Sequence, residues 1–172
     1  MWAPAIDPVL YVGDSLGVGT VRQLQSSAAP GALDFDTRIG RSSTEGLEVL
    51  RLRLRRRHKA VVFDLGTNDS SAEVLGRNLR RARTLTGERL MIVFTINKPG
   101  AGPFNRTIRA FGRSADNVFL VDWHSTAARG ELLSGDGIHA SPSGYRRRAA
   151  LVSSLIRGAH RARWAASLGS AA

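Results

Sequence analysis

The sequence predicts an α/β fold built on a parallel sheet, and three observations carry the prediction. Five short apolar runs recur along the chain, at 9–12, 33–39, 60–65, 90–96 and 118–123. Stretches with helical periodicity separate them, as in βαβ units. Glycine and polar residues then cluster just after the runs, at the sheet edge where open α/β sheets bind ligands.

Each element follows from its local residues. The unbroken apolar run Pro8-Val9-Leu10-Tyr11-Val12 reads as a buried strand, and the chain leaves it through Gly13-Asp14-Ser15. A helix over 16–26 leads to the second strand, which ends before Gly40. The helix at 44–57 closes on the basic run Arg51-Leu52-Arg53-Leu54-Arg55-Arg56-Arg57-His58-Lys59, where cations complement the helix dipole. The third strand delivers Gly66-Thr67-Asn68-Asp69 and is followed by a helix over 72–85. After the fourth strand comes the strongest breaker cluster, Asn97-Lys98-Pro99-Gly100-Ala101-Gly102-Pro103, so the next helix is placed at 105–114. The last helix starts near Ser141-Pro142, with Ser141 as cap and Pro142 at the first helical position, and runs toward Arg157 or beyond.

Length and composition bound the rest. At 172 residues and 18.6 kDa the chain is expected to form a single domain over 1–172, with 164–172 a small, polar end prone to fray. The absence of cysteine removes disulfides and thiolate chemistry. No cluster of His, Asp and Glu has metal-ligand spacing, so neither a metal nor a cofactor is expected. No apolar stretch reaches the length of a membrane span, and Met1 to Leu10 lacks a signal peptide's basic start and apolar core. Localisation stays open between a cytoplasmic protein and an extracytoplasmic domain of a longer one. The formal charge of +11 is carried almost wholly by arginine, since Lys59 and Lys98 are the only lysines. It permits an anionic polymer as partner, and a non-catalytic basic binding module for nucleic acid or an anionic polymer stands as the alternative to an enzyme. Nucleic acid is disfavoured, because neither the 51–59 run nor Arg146-Arg147-Arg148 is interleaved with aromatics or set in a reading motif; both read as solvated helix charge.

The chemistry-bearing residues fall in four blocks: Gly13-Asp14-Ser15-Leu16, Gly40 within Arg38-Ile39-Gly40-Arg41-Ser42, Gly66-Thr67-Asn68-Asp69, and Asp136-Gly137-Ile138-His139. In these blocks, and in their order along nearly the whole chain, the sequence resembles the SGNH hydrolases, also called the GDSL family. The resemblance implies a flavodoxin-like, three-layer α/β/α sandwich with a five-stranded parallel sheet. It makes Ser15 the nucleophile, His139 the general base and Asp136 its orienting carboxylate, with the backbone of Ser15 and Gly40 and the Asn68 amide as the oxyanion hole. Physical chemistry agrees with those roles. A serine hydroxyl needs a base, the base needs a group that fixes its tautomer, and the charge of a tetrahedral intermediate needs fixed donors.

Plainer readings exist for each residue. Ser15 alone would read as a helix cap, His139 as a loop histidine, and Asn68 and Asp69 as turn formers; Asp69 is given no catalytic role. Gly13-Asp14-Ser15-Leu16-Gly17 also fits the nucleophile elbow of α/β-hydrolases, but that fold needs several strands ahead of the nucleophile and the chain has no room for them. Gly13, Gly17 and Gly19 suggest a dinucleotide turn, yet Tyr145 is followed by arginines instead of the Tyr-x-x-x-Lys pattern. The expected activity is therefore hydrolysis of short-acyl carboxylic esters. Val121-Asp122-Trp123 and the form of the second block resemble SGNH domains of peptidoglycan O-acetyltransferases. That points to acetyl esters of cell-wall carbohydrate and leaves hydrolysis and transfer both open.

Overall fold

The computed structural model describes residues 8–26, 28 and 30–169, with side chains inside the last helix described through Gly158. Strands β1 (Val9–Gly13), β3 (Ala60–Asp64) and β4 (Leu90–Phe94) are buried along their whole length. That explains their continuous apolar sequences, because a parallel strand is covered on both faces. β2 (Leu33–Thr37) and β5 (Val118–Val121) are the edge strands and are more exposed.

All neighbours pair in parallel, in the order β2-β1-β3-β4-β5. Helices α1 (Ser15–Gln25) and α6 (Pro142–Gly169) pack together, while α2 (Ser43–Arg53), α3 (Ala72–Thr86) and α4 (Ala101–Gly112) form the other layer. Strand residues alternate between two apolar clusters. Leu10, Val12, Val61, Phe63, Met91 and Val93 share one with α2, α3 and α4; Val9, Tyr11, Val62, Ile92 and Phe94 share the other with α1 and α6. Each fully buried large side chain contributes about 1.5–3 kcal/mol. The result is the expected three-layer sandwich. Its topological switch lies between β1 and β3, so Ser15 and Asn68 stand on either side of the crevice.

Several boundaries differ from expectation. α4 begins at Ala101 because Pro103 falls in the first turn, where its missing N–H has no intrahelical acceptor to lose. α2 stops at Arg53, and the remaining basic run folds into a turn whose His58 Nδ1 accepts the Arg55 N–H at 2.9 Å. The fifth strand ends at Val121; Asp122 caps a short helix, α5 (Trp123–Ala127), that was not anticipated. The frayed end expected over 164–172 lies beyond the described side chains, and 170–172 lie outside the described residues altogether.

Candidate active site

Ser15 opens α1 directly after β1. The helix cap is its neighbour: Asp14 Oδ1 accepts the Leu16 N–H at 2.9 Å. The Ser15 hydroxyl is thereby free of capping and lies 3.0 Å from His139 Nε2. His139 in turn places Nδ1 2.6 Å from Asp136 Oδ2.

Both partners come from one turn. Asp136 Oδ1 accepts from Ser134 Oγ at 2.7 Å and from the N–H groups of Ile138 and His139 at 2.9 Å each. The turn is closed by Ser134 N–H to the His139 carbonyl at 2.8 Å and by a bridge between Leu133 and Ala140. The bond from His139, then those from the Ile138 backbone and Ser134, holds the Asp136 carboxyl well below the usual carboxylate range. An ionised Asp136 keeps the proton on Nδ1, which leaves Nε2 as the acceptor facing Ser15.

Gly40 sits in a turn with φ +76°, and a Cβ there would meet nothing, so glycine is demanded by the backbone conformation and not by space. Arg41 anchors this turn from beneath. Its buried guanidinium reaches the Gly13 carbonyl at 3.3 Å and the Asp36 carboxylate at 2.6 Å. The Asn68 amide donates to the Arg41 carbonyl at 3.1 Å and to Asp14 Oδ2 at 3.3 Å, which ties the second and third blocks to the first. Asp69 is held as well: its Oδ1 accepts from the Ser43 N–H at 3.0 Å and hydroxyl at 2.9 Å at the start of α2.

Beneath the rim lies a polar network that the sequence did not announce. Arg148 is fully buried, against the expectation of a solvated Arg146-Arg147-Arg148 run. It donates to Asp64 Oδ2 at 2.6 Å and to Thr20 Oγ1 at 3.0 Å, while Tyr11 donates to the same Asp64 oxygen at 2.7 Å. Helical spacing was the available signal, since position 148 falls on the face of α6 that carries Tyr145 and Val152. Burial, and then the nearby Asp64 charge, push the Asp14 carboxyl up to about 7. α1 and α6 come close because Gly19 has no side chain; a Cβ there would overlap the Tyr145 ring. Among the described residues no group of three His, Asp or Glu side chains is placed to hold a metal ion. No helix among them is long and apolar enough to cross a membrane.

No family model matches the chain. The chain is similar to the C-terminal catalytic domain of peptidoglycan O-acetyltransferase A from Streptococcus pneumoniae, with a TM-score of 0.76 at 18% identity over 91% of this chain and 96% of that one. A GDSL-like lipase from Bacteroides thetaiotaomicron superposes at TM-score 0.77 and 17% identity, covering 92% and 91% of the two chains. The chain has the SGNH hydrolase fold. A lipase/acylhydrolase from Enterococcus faecalis shares it, at TM-score 0.72 and 19% identity over 88% of this chain and 95% of the other. In sequence, the chain is 27% identical over 151 residues to YrhL of Bacillus subtilis, named by inference a peptidoglycan O-acetyltransferase; the match covers 84% of this chain. The chain spans 23% of that relative's length.

Proposed function

We propose that the chain is a serine esterase acting on short-acyl, in particular acetyl, esters through an acyl-enzyme on Ser15. The observation that carries this reading is the continuous relay from Ser15 Oγ to His139 Nε2 at 3.0 Å and from His139 Nδ1 to Asp136 at 2.6 Å. Ser15 Oγ attacks the acyl carbonyl while its proton passes to His139 Nε2, and Asp136 stabilises the imidazolium that forms. The oxyanion is received by the N–H groups of Ser15 and Gly40 and by the Asn68 amide. Collapse breaks the ester bond, and the departing alcohol leaves with the His139 proton. Water then repeats the sequence in reverse roles and releases the acid.

Both hydrogens of the Asn68 amide are already given, to Arg41 and Asp14. The oxyanion takes over the longer bond, at 3.3 Å to Asp14. With its carboxyl pushed up to about 7, Asp14 is partly protonated near neutral pH and is then a weaker acceptor, which eases that exchange.

A second reading, acetyl transfer by the same relay, is favoured by the similarity to the O-acetyltransferase catalytic domain and to YrhL. In it a sugar hydroxyl replaces water in the second half-reaction. The test is turnover of a short-chain beside a long-chain aryl ester by wild type and Ser15→Ala, with and without an oligosaccharide acceptor. Ser15-dependent release of free acid, fastest for the acetyl ester, supports the esterase. Acetylated sugar in place of free acid supports transfer, and no Ser15-dependent turnover removes both.

A further inference from the structure

Lys98 is one of only two lysines in a chain with 25 basic residues, and it is set apart by where its ammonium lies. The side chain reaches back from the segment after β4 to the turn after β3. There Nζ stands 3.0 Å from the Thr67 carbonyl, 3.0 Å from the Asp69 carbonyl and 3.5 Å from the Gly66 carbonyl. These are the carbonyls that surround Asn68 in sequence. The Phe104 ring, 3.7 Å away, covers another side of the same ammonium.

We propose that Lys98 is the positioning residue of the oxyanion turn: its ammonium gathers the carbonyls of Gly66, Thr67 and Asp69 and so fixes where the Asn68 amide stands. The inference rests on the reading of Asn68 as an oxyanion donor. The chemistry selects lysine over arginine. An ammonium is a compact point charge with three N–H donors that diverge from one atom, so it serves three carbonyls converging on one place; a planar guanidinium does not. Without the cation the three carbonyl dipoles would face one another across a partly dry space. The Asn68 side chain is itself exposed and held by bonds of 3.1 and 3.3 Å, so its placement depends on the backbone beneath it. Lys98 grips that backbone from the β4 side, as Ser43 grips Asp69 from the α2 side. Desolvation lowers the Lys98 pKa, and the nearby Asp69 charge opposes that shift, so the carbonyls and Asp69 are what keep the ammonium in this turn.

The experiment compares wild type, Lys98→Met and Lys98→Arg by amide exchange in NMR and by steady-state hydrolysis of an acetyl aryl ester. The β3 and β4 amides serve as the internal control for folding. Lys98→Met is expected to speed exchange at the Asp69 amide and to lower kcat about 10-fold or more, with KM within about twofold. Lys98→Arg is expected to restore neither. Unchanged exchange at Asp69 in Lys98→Met, or Lys98→Arg equal to wild type, overturns the proposal, as does a loosened turn with wild-type kcat. If wild type shows no Ser15-dependent turnover, the esterase reading fails and Lys98 loses its catalytic purpose. The exchange data then report separately whether it holds the turn.

Discussion

The Arg148 guanidinium binds the Asp64 carboxylate at 2.6 Å while stacked 4.2 Å above the Phe94 ring, in the interior between α6 and the sheet. The pair links the helix that follows His139 to the strand that precedes Asn68. Through Thr20, whose hydroxyl donates to the Leu16 carbonyl at 2.8 Å, it also reaches the first turn of the Ser15 helix. Removing one partner strands the other charge in the core. Arg148→Met is therefore expected to cost about 3–5 kcal/mol in urea unfolding, and Arg148→Met combined with Asp64→Asn clearly less. A single variant within about 1 kcal/mol of wild type would show that the pair is not what holds α6 to the sheet.

Ser15 is expected to be the serine that reacts with a serine-directed phosphonate. Ser42 caps α2 and gives its hydroxyl to the weakly basic Glu45 carboxylate, and the Ser141 hydroxyl is given to the Glu131 carbonyl at 3.1 Å, so neither faces an imidazole as Ser15 does; Ser70 is likewise expected to stay unlabelled. Mass spectrometry after labelling decides the point. Adduct that persists in Ser15→Ala, or wild type that never labels, removes the nucleophile assignment.

The base and its carboxylate should separate kinetically. His139→Ala is expected to abolish turnover. Asp136→Asn should leave a measurable remainder, with kcat down by up to about 10⁴, since the carboxylate sets the tautomer and stabilises the imidazolium without making the attack. Full activity in Asp136→Asn would reduce the relay to a dyad.

Asn68→Ala should lower kcat by about 10² to 10³ with little change in KM, because the amide is asked to bond the oxyanion more strongly than the ground-state carbonyl. Asn68 also ties Asp14 to Arg41, so the thermal midpoint has to be followed on the same sample. A folded variant with near wild-type kcat takes Asn68 out of the site.

Asp14 gives a prediction about stability and pH. Its folded pKa is raised to about 7, above the unfolded value near 3.8, so the native state binds the extra proton between these limits. The sign is that of a raised acid: the group favours the native state below the unfolded pKa, and that contribution is lost as pH rises toward 7. It amounts to a few kcal/mol at most, since each pH unit separating the folded and unfolded values is worth about 1.4 kcal/mol. Asp14→Asn should flatten the fall in stability between about pH 4 and 7, measured by urea titrations at fixed pH. An unchanged slope would mean that Asp14 ionises in the native state much as it does in the unfolded chain.

Much of this molecule was readable from its residues because parallel strands buried on both faces leave continuous apolar runs. The ends of those runs also named the loops that reach the rim. The four blocks, with Ser15, Gly40, Asn68 and His139-Asp136, were placed on that rim from sequence alone. What escaped reading were interactions that oppose a residue's usual habit. Arg148 looked like solvated charge in a run of arginines, although its helical position put it inward. Trp123 looked like the end of a strand, since a helix of five residues has no periodicity to detect. Pro103 looked like a breaker, because a proline's tolerance in the first helical turn shows only once the turn's start is known. Lys98 was counted in the net charge, and nothing in a linear sequence says that three carbonyls will converge on it.

The turn from Ser134 to His139 carries base and counter-charge as one rigid cassette, closed by its own hydrogen bonds. Any displacement of that cassette therefore changes one distance, the gap to Ser15, while the imidazole keeps its tautomer. The relay has a single adjustable joint. Alignment of Ser15 with His139 is set by where the whole turn sits against the start of α1, and not by how its members are arranged among themselves.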